Sequence, residues 1–242
     1  MSAPSVVEQL EALGLTHMAV LWARQERAED PREAGARLAE LVGAERSGRA
    51  DGVLGRRRAA ARLEQPSADL RDLRHPAERR LDGAVVRALG KLAWVEAGSH
   101  LVFTGGTGTG KTWLSCAMAN AAIEQGRSVQ AWAVPDLLAE WQASGDRLHL
   151  FRRRLGKLDL LILEDWGVER LRPEDASVIR RVVMDRIDRK SLLIASALPP
   201  SAWRQWLGGS LVADGLVDRL EAASQVIGLE GGSLRRRGVR AA

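Results

Sequence analysis

Residues 105–112 read Gly-Gly-Thr-Gly-Thr-Gly-Lys-Thr, a G-x-x-x-x-G-K-[ST] pattern that follows the apolar run Leu101-Val102-Phe103 and opens a helical stretch. In that strand–loop–helix setting the chemistry is phosphate binding. Gly105, Gly106, Gly108 and Gly110, with Thr107 and Thr109 among them, let backbone N–H groups curl around phosphate oxygens where a Cβ would obstruct the curve. The helix beginning near Lys111 adds the positive end of its dipole. Lys111 is expected to reach the β- and γ-phosphates of a nucleoside triphosphate, and the Thr112 hydroxyl to ligate Mg²⁺. A glycine-rich turn with an incidental lysine does not require the full pattern in this context.

A second chemical feature ends the hydrophobic run Leu160-Leu161-Ile162-Leu163, where Glu164 and Asp165 follow in succession. A triphosphate site needs one acid to hold Mg²⁺ and another to orient or deprotonate the attacking water. Successive strand positions face different ways, so Glu164 can address the metal and Asp165 the γ-phosphate. The usual order is Asp then Glu. Reversed, Glu164 is a methylene long towards Mg²⁺ and Asp165 one short towards the water, so nucleotide binding is expected to be secure and hydrolysis slow. Cys116, the single cysteine, lies one turn beyond Thr112 and reads as a small core residue. It excludes an internal disulfide, and no cysteine–histidine cluster is present for a metal.

Both features have to be carried by a sheet. From Leu81 onward, apolar runs at 101–103, 129–134, 158–163, 192–195 and 226–227 alternate with helical stretches at 111–125, 173–189 and 211–223. That alternation predicts an α/β domain with a parallel five-stranded sheet flanked by helices. Residues from Val6 to Arg62 show helical periodicity and no strand signal. Pro66 and Ser67 interrupt, and residues 69–79 read as a linker. The expected domains are therefore an all-helical N-terminal region with its linker, residues 1–75, and a core, residues 76–242.

Hydrophobic residues make up 45% of the 242 and charged residues 28%, enough to bury a sizeable core. No apolar run approaches the roughly 20 residues of a membrane-spanning helix. Residues 1–5 lack the basic and apolar regions of a secretory signal, and the lone cysteine suits a reducing compartment, so a cytoplasmic protein is expected. The net charge of +5 favours a polyanionic partner. Lysine occurs only at 91, 111, 157 and 190 and tyrosine is absent, a skew that nucleotide bias would also produce. Charge alone moves the reading only slightly towards DNA.

The stretch from Gly105 to Leu114, together with Leu160-Leu161-Ile162-Leu163-Glu164-Asp165-Trp166-Gly167, resembles the IstB-type transposition helper ATPases, relatives of the DnaC and DnaI helicase loaders within the AAA+ superfamily. The likeness covers nearly the whole chain. Leu10 to Met18, Arg80-Leu81-Asp82, Asp185-Arg186, Ala195-Ser196 with Leu198-Pro199, Asp218-Arg219-Leu220 and Ser233-Leu234-Arg235 follow in family order. The resemblance implies an AAA+ ATPase core using ATP and Mg²⁺, Trp113 beside the nucleotide, and homo-oligomers with ATP sites at subunit interfaces. It further implies duplex DNA and a transposase of the same mobile element as partners. By match, Arg219 would be an arginine finger, unless it pairs with Asp218 or Glu221 on its own helix, and Arg235 a second nucleotide sensor. Family members carry Asn or Gln where Ala197 stands, which leaves Ser196 to substitute as the polar sensor. Too few residues follow the fifth strand for a full helical lid, which favours completion of the site by a neighbour.

Arg56, Arg57, Arg58 and Arg62, with Arg152, Arg153 and Arg154, are candidate contacts to DNA phosphates, which arginine binds without reading sequence. Solvated helix faces are the plain alternative. Trp94, Trp113, Trp132 and Trp166 lie in apolar segments and read as packing residues. The expected function is an ATP-dependent, DNA-binding regulator that assembles on target duplex and recruits or activates a transposase, its hydrolysis slow and stimulated by DNA or partner. A replicative helicase loader, or an ATP-organised DNA scaffold with little turnover, are the alternatives.

Overall fold

The apolar runs become five parallel strands, β1 (His100–Gly105), β2 (Val129–Ala133), β3 (Leu160–Trp166), β4 (Ser191–Ser196) and β5 (Ser224–Leu229), in the order β2-β3-β4-β1-β5. A computed structural model describes residues 4–28, 30, 32–74 and 77–234. Around the sheet lie α4 (Gly83–Leu89), α5 (Ala93–Glu96), α6 (Lys111–Glu124), α7 (Val134–Ala143), α8 (Leu148–Lys157), α9 (Pro173–Met184), α10 (Trp203–Trp206) and α11 (Leu211–Ala223). Val102, Leu161, Leu163, Leu192 and Ile194 share one buried cluster with α7, α8, α9 and α11. The alternate residues Leu101, Phe103, Leu160, Ile162 and Leu193, fully buried, face the other way, towards α6.

The chain leaves β1 for the β2 edge and then returns strand by strand to β5, so right-handed crossovers put α6 on one face and α7 to α11 on the other. The reversal falls between β1 and β4, where open α/β sheets form a crevice beyond their strand ends. The phosphate-loop motif sits there.

Helices α7 and α8 fill residues 134–157, which periodicity did not mark as helical; Pro135 in the first turn starts α7. Helix α9 stops at Met184 rather than 189. The turn that follows is fixed by the buried Arg186, whose guanidinium donates to the carbonyls of Leu155 at 2.7 Å, Leu158 at 3.0 Å and Ser191 at 2.7 Å.

The chain divides into two compact units, Met1–Arg56 and Arg57–Ala242, within α3 (Ala34–Ala60). That is well before residue 75, because residues 57–74 are bonded to the core. Ala131 of edge strand β2 donates its N–H to Ala61 O at 2.8 Å, and Asn120 of α6 donates to the carbonyls of Pro66 and Ala68 at 3.0 and 2.8 Å. Leu63, Ala68 and Leu70 cover Trp113, Cys116 and Ala117, and burial pushes the Cys116 thiol up to about 11. In the first unit, α1 (Val6–Ala12) starts on a Ser5–Glu8 capping box. The N–H groups of His17 and Met18, at the start of α2 (Thr16–Arg27), donate to the buried Glu45 carboxylate at 3.0 and 3.1 Å. Among the described residues no helix is long and apolar enough to cross a membrane.

Candidate nucleotide site

The loop from Gly105 to Gly110 joins β1 to α6, with φ of +149° at Gly105 and +79° at Gly108. Beyond this backbone demand, each has a close neighbour. A Cβ on Gly105 would stand 2.2 Å from Leu229 O, and one on Gly108 would stand 2.2 Å from Ser233 Oγ. Residues 229–234 thus press on the loop from outside, a constraint the motif did not reveal. Inside the loop, Lys111 Nζ donates to Gly105 O at 2.7 Å and Gly106 O at 2.9 Å, and Thr109 Oγ1 donates to Gly106 O at 2.9 Å. Thr107 is exposed and Trp113 half-buried against the 63–70 segment.

Thr112, on the first turn of α6, donates its hydroxyl to Glu164 Oε2 at 3.1 Å. Two residues 52 positions apart are thereby joined. Glu164 Oε1 is buried without a hydrogen-bond partner. Burial pushes the Glu164 carboxyl up to about 7, the Ser115 and Thr112 hydroxyls opposing it and the Asp165 and Glu64 charges adding to it. The Ser115 hydroxyl lies nearby but, like Oε1, makes no hydrogen bond of good geometry. A hydroxyl and a carboxylate oxygen form the hard-oxygen donor set that suits Mg²⁺ shared with phosphates. An orphaned carboxylate oxygen beside a positive loop fits that ion.

The two acids do not simply alternate. Leu163 pairs with Ile194 and Trp166 with Ser196, so β3 gains one residue on β4 between them. This bulge holds both Glu164 and Asp165. Asp165 takes φ of +56° and is exposed, and its carbonyl accepts Val168 N–H at 3.2 Å. A left-handed non-glycine residue costs on the order of 1 kcal/mol. What holds it is the next side chain. Trp166 is fully buried, its ring centroid 5.3 Å from that of Trp203 and 4.7 Å from that of Trp206.

Ser196 is bonded into its own turn. Its hydroxyl, fully buried at the end of β4, accepts Leu198 N–H at 3.0 Å and Trp203 Nε1–H at 3.1 Å, and its proton lies between Leu198 O at 2.7 Å and Trp166 O at 3.1 Å. All its bonding capacity ties down the turn after β4, leaving none for a phosphate or water.

Residues 8–242 match the family model described as IstB-like ATP binding protein. The chain belongs to that family. It is 36% identical over 240 residues to an insertion sequence ATP-binding protein of Sinorhizobium fredii, covering 98% of each chain. It is also 36% identical over 167 residues to the insertion sequence IS1162 ATP-binding protein of Pseudomonas fluorescens, covering 68% of this chain and 72% of the relative. Among solved structures, the DnaC helicase loader superposes with a TM-score of 0.57 at 21% identity, over 67% of this chain and 97% of that one. AMPPCP-bound DnaA of Aquifex aeolicus gives 0.57 at 23%, over 68% and 50%. These likenesses establish the AAA+ fold.

The remaining expected residues in this family member are dispersed. Arg219, exposed on α11, has no carboxylate partner among the described residues. Its Nη1 donates to Met184 Sδ at 3.7 Å, while neighbouring Asp218 pairs with Arg204. Arg235 lies outside the described residues. Arg62 and Arg154 meet at Trp132 of β2, where Arg62 stacks 3.7 Å from the ring centroid and Arg154 stands at 6.0 Å. Arg58 pairs with Glu124 at 3.0 Å and Arg152 with Asp185 at 2.8 Å. Arg57 is half-buried beside Gly126, and Arg153 is exposed on α8, as is Arg56 in the first unit.

Proposed function

We propose that this chain is an Mg²⁺-dependent ATPase that assembles on duplex DNA and serves the transposase of an insertion sequence. The observation carrying the reading is the Thr112–Glu164 contact, with the unpartnered Glu164 oxygen beside the loop at the sheet's crevice. Family membership and the insertion sequence relatives supply the context. In this reading the loop N–H groups and Lys111 bind the triphosphate, while Thr112 and Glu164 hold the ion. Mg²⁺, when bound, neutralises developing charge on the phosphate oxygens. Asp165, exposed on the bulge, orients the attacking water. Arg219, exposed and with no carboxylate partner among the described residues, reaches the site of a neighbouring subunit. The arginines gathered around Trp132, with Arg57, Arg153 and Arg56, offer contacts to phosphates.

Binding of a fluorescent ATP analogue and release of phosphate, each with and without duplex DNA, test this together. Lys111→Ala should abolish nucleotide binding; retained affinity would break the cradle assignment. A second reading, an ATP-organised scaffold with little turnover, is favoured by one observation, the complete commitment of the Ser196 hydroxyl to its own turn. Binding without DNA-stimulated phosphate release would select it.

A further inference from the structure

The segment after β5 turns back to the phosphate loop and is gripped there. Arg79, only 4% exposed, donates from Nη1 to Gly232 O at 2.5 Å and Glu230 O at 3.4 Å. Glu230 returns its N–H to Arg79 O at 3.1 Å, and its carboxylate pairs with Arg80 at 3.0 Å. Gly231, at φ +96°, passes so close that a Cβ would lie 2.8 Å from Glu78 O. Beyond the grip, Leu234 N–H donates to Gly108 O at 2.9 Å.

That last bond sets a peptide plane. In a trans peptide C=O and N–H point opposite ways. With Gly108 C=O held outward on Leu234, Thr109 N–H turns into the loop, where it faces Gly106 O at 3.4 Å. Lys111 Nζ donates to that same oxygen. Flipped over, the peptide would aim a carbonyl at the phosphates in place of a donor. Among the described residues the partners of the Arg79 guanidinium are carbonyls, and a charge buried on carbonyls is costly to desolvate.

We infer that residues 230–234 form a strap that fixes the Gly108–Thr109 peptide, and that Arg79 is a positioning residue for triphosphate binding. This rests on the phosphate-loop reading given above. Leu234→Pro deletes the N–H donor, and Leu234→Ala keeps it while removing the side chain. With ATP as probe, Leu234→Pro should weaken binding about tenfold and Leu234→Ala less than about twofold. Arg79→Met should match Leu234→Pro, and the double variant should be no weaker than either alone, since both open one strap. A merely structural Arg79 would lower the melting temperature and leave the affinity of the folded protein unchanged.

Wild-type affinity in Leu234→Pro overturns the strap, as do additive losses in the double variant. Should Arg79→Met not fold, the two Leu234 variants decide by themselves. Failure of the unaltered chain to bind ATP overturns the phosphate-loop reading and the strap with it. Normal binding that Lys111→Ala abolishes and Leu234→Pro spares overturns the strap alone.

Discussion

Replacing Glu164 with glutamine should stabilise the metal-free, nucleotide-free protein while removing its Mg²⁺-dependent turnover. The carboxyl is buried, one oxygen has no partner, and its pKa rises from 4.5 to about 7. The folded protein therefore keeps this proton across a pH range in which the unfolded chain releases it. Where the folded state binds more protons, stability falls as pH rises, so the contribution is complete below pH 4.5 and is lost as pH climbs through about 7. At roughly 1.4 kcal/mol per tenfold change in proton activity, the ionised group costs about 3 kcal/mol at pH 8 and less than about 1 kcal/mol at pH 5.

Glutamine cannot ionise, and its amide oxygen can still accept the Thr112 hydroxyl. Its amide nitrogen stands where Oε1 has no partner, which gives back about 1 kcal/mol. The net gain at pH 8 is roughly 2 kcal/mol, a rise of about 4–8 °C in melting temperature for a core of this size, and at pH 5 it vanishes. Thermal unfolding in EDTA at both values, followed by tryptophan fluorescence, measures this directly. A variant less stable at pH 8, or a difference independent of pH, would refute the picture of an unpaired buried carboxyl. Because ion binding needs the carboxylate, Mg²⁺–ATP affinity should fall about tenfold per pH unit below 7 in the unaltered protein, a slope that E164Q should lose.

Arg219→Ala should spare ATP affinity and cut phosphate release by on the order of a thousandfold. Mixing it with Lys111→Ala, which keeps Arg219, should restore turnover, and no recovery would place Arg219 outside the shared site. Joint replacement of Arg62 and Arg154 by alanine should weaken duplex binding regardless of sequence and flatten the salt dependence by a slope of about 2; an unchanged slope in a titration from low to high salt counts against that contact. Ser196→Ala should cost about 1–3 kcal/mol in urea denaturation and leave per-site phosphate release near normal, whereas a loss of turnover without loss of stability would return Ser196 to the chemistry.

The sheet was legible because each strand is a short apolar run between turn residues, and burial on both faces leaves that signature regardless of partners. The loop was legible because phosphate binding demands glycines and a lysine at fixed spacing, and the acid pair because two carboxylates end an apolar run. Helix α8 was not, since Arg152 to Arg154 read as a charge run when taken alone. In the fold Arg152 reaches Asp185 and Arg154 covers the rings of Trp132 and Phe151. Arg186 was visible only as part of a family pattern. Its bonds to carbonyls at the end of α8 and the start of β4 depend on where those elements end, which no local rule supplies.

The bulge under Glu164 and Asp165 shows why the site was harder to read than the fold. Alternation along β3 predicts opposite directions for the two acids, but an extra residue against β4 breaks the alternation at that very point. The device holding the bulge, Trp166 packed on Trp203 and Trp206, is assembled from residues some 40 positions further on. The glycines carry the same lesson. Gly105 and Gly108 satisfy a phosphate motif, yet their missing Cβ atoms also admit Leu229 and Ser233. Substitution at either would therefore disturb the loop before any nucleotide arrives, so lost ATP binding in a Gly108→Ala variant would not by itself show that the glycine touches phosphate. Leu234→Pro, which leaves every loop residue in place, separates the two causes.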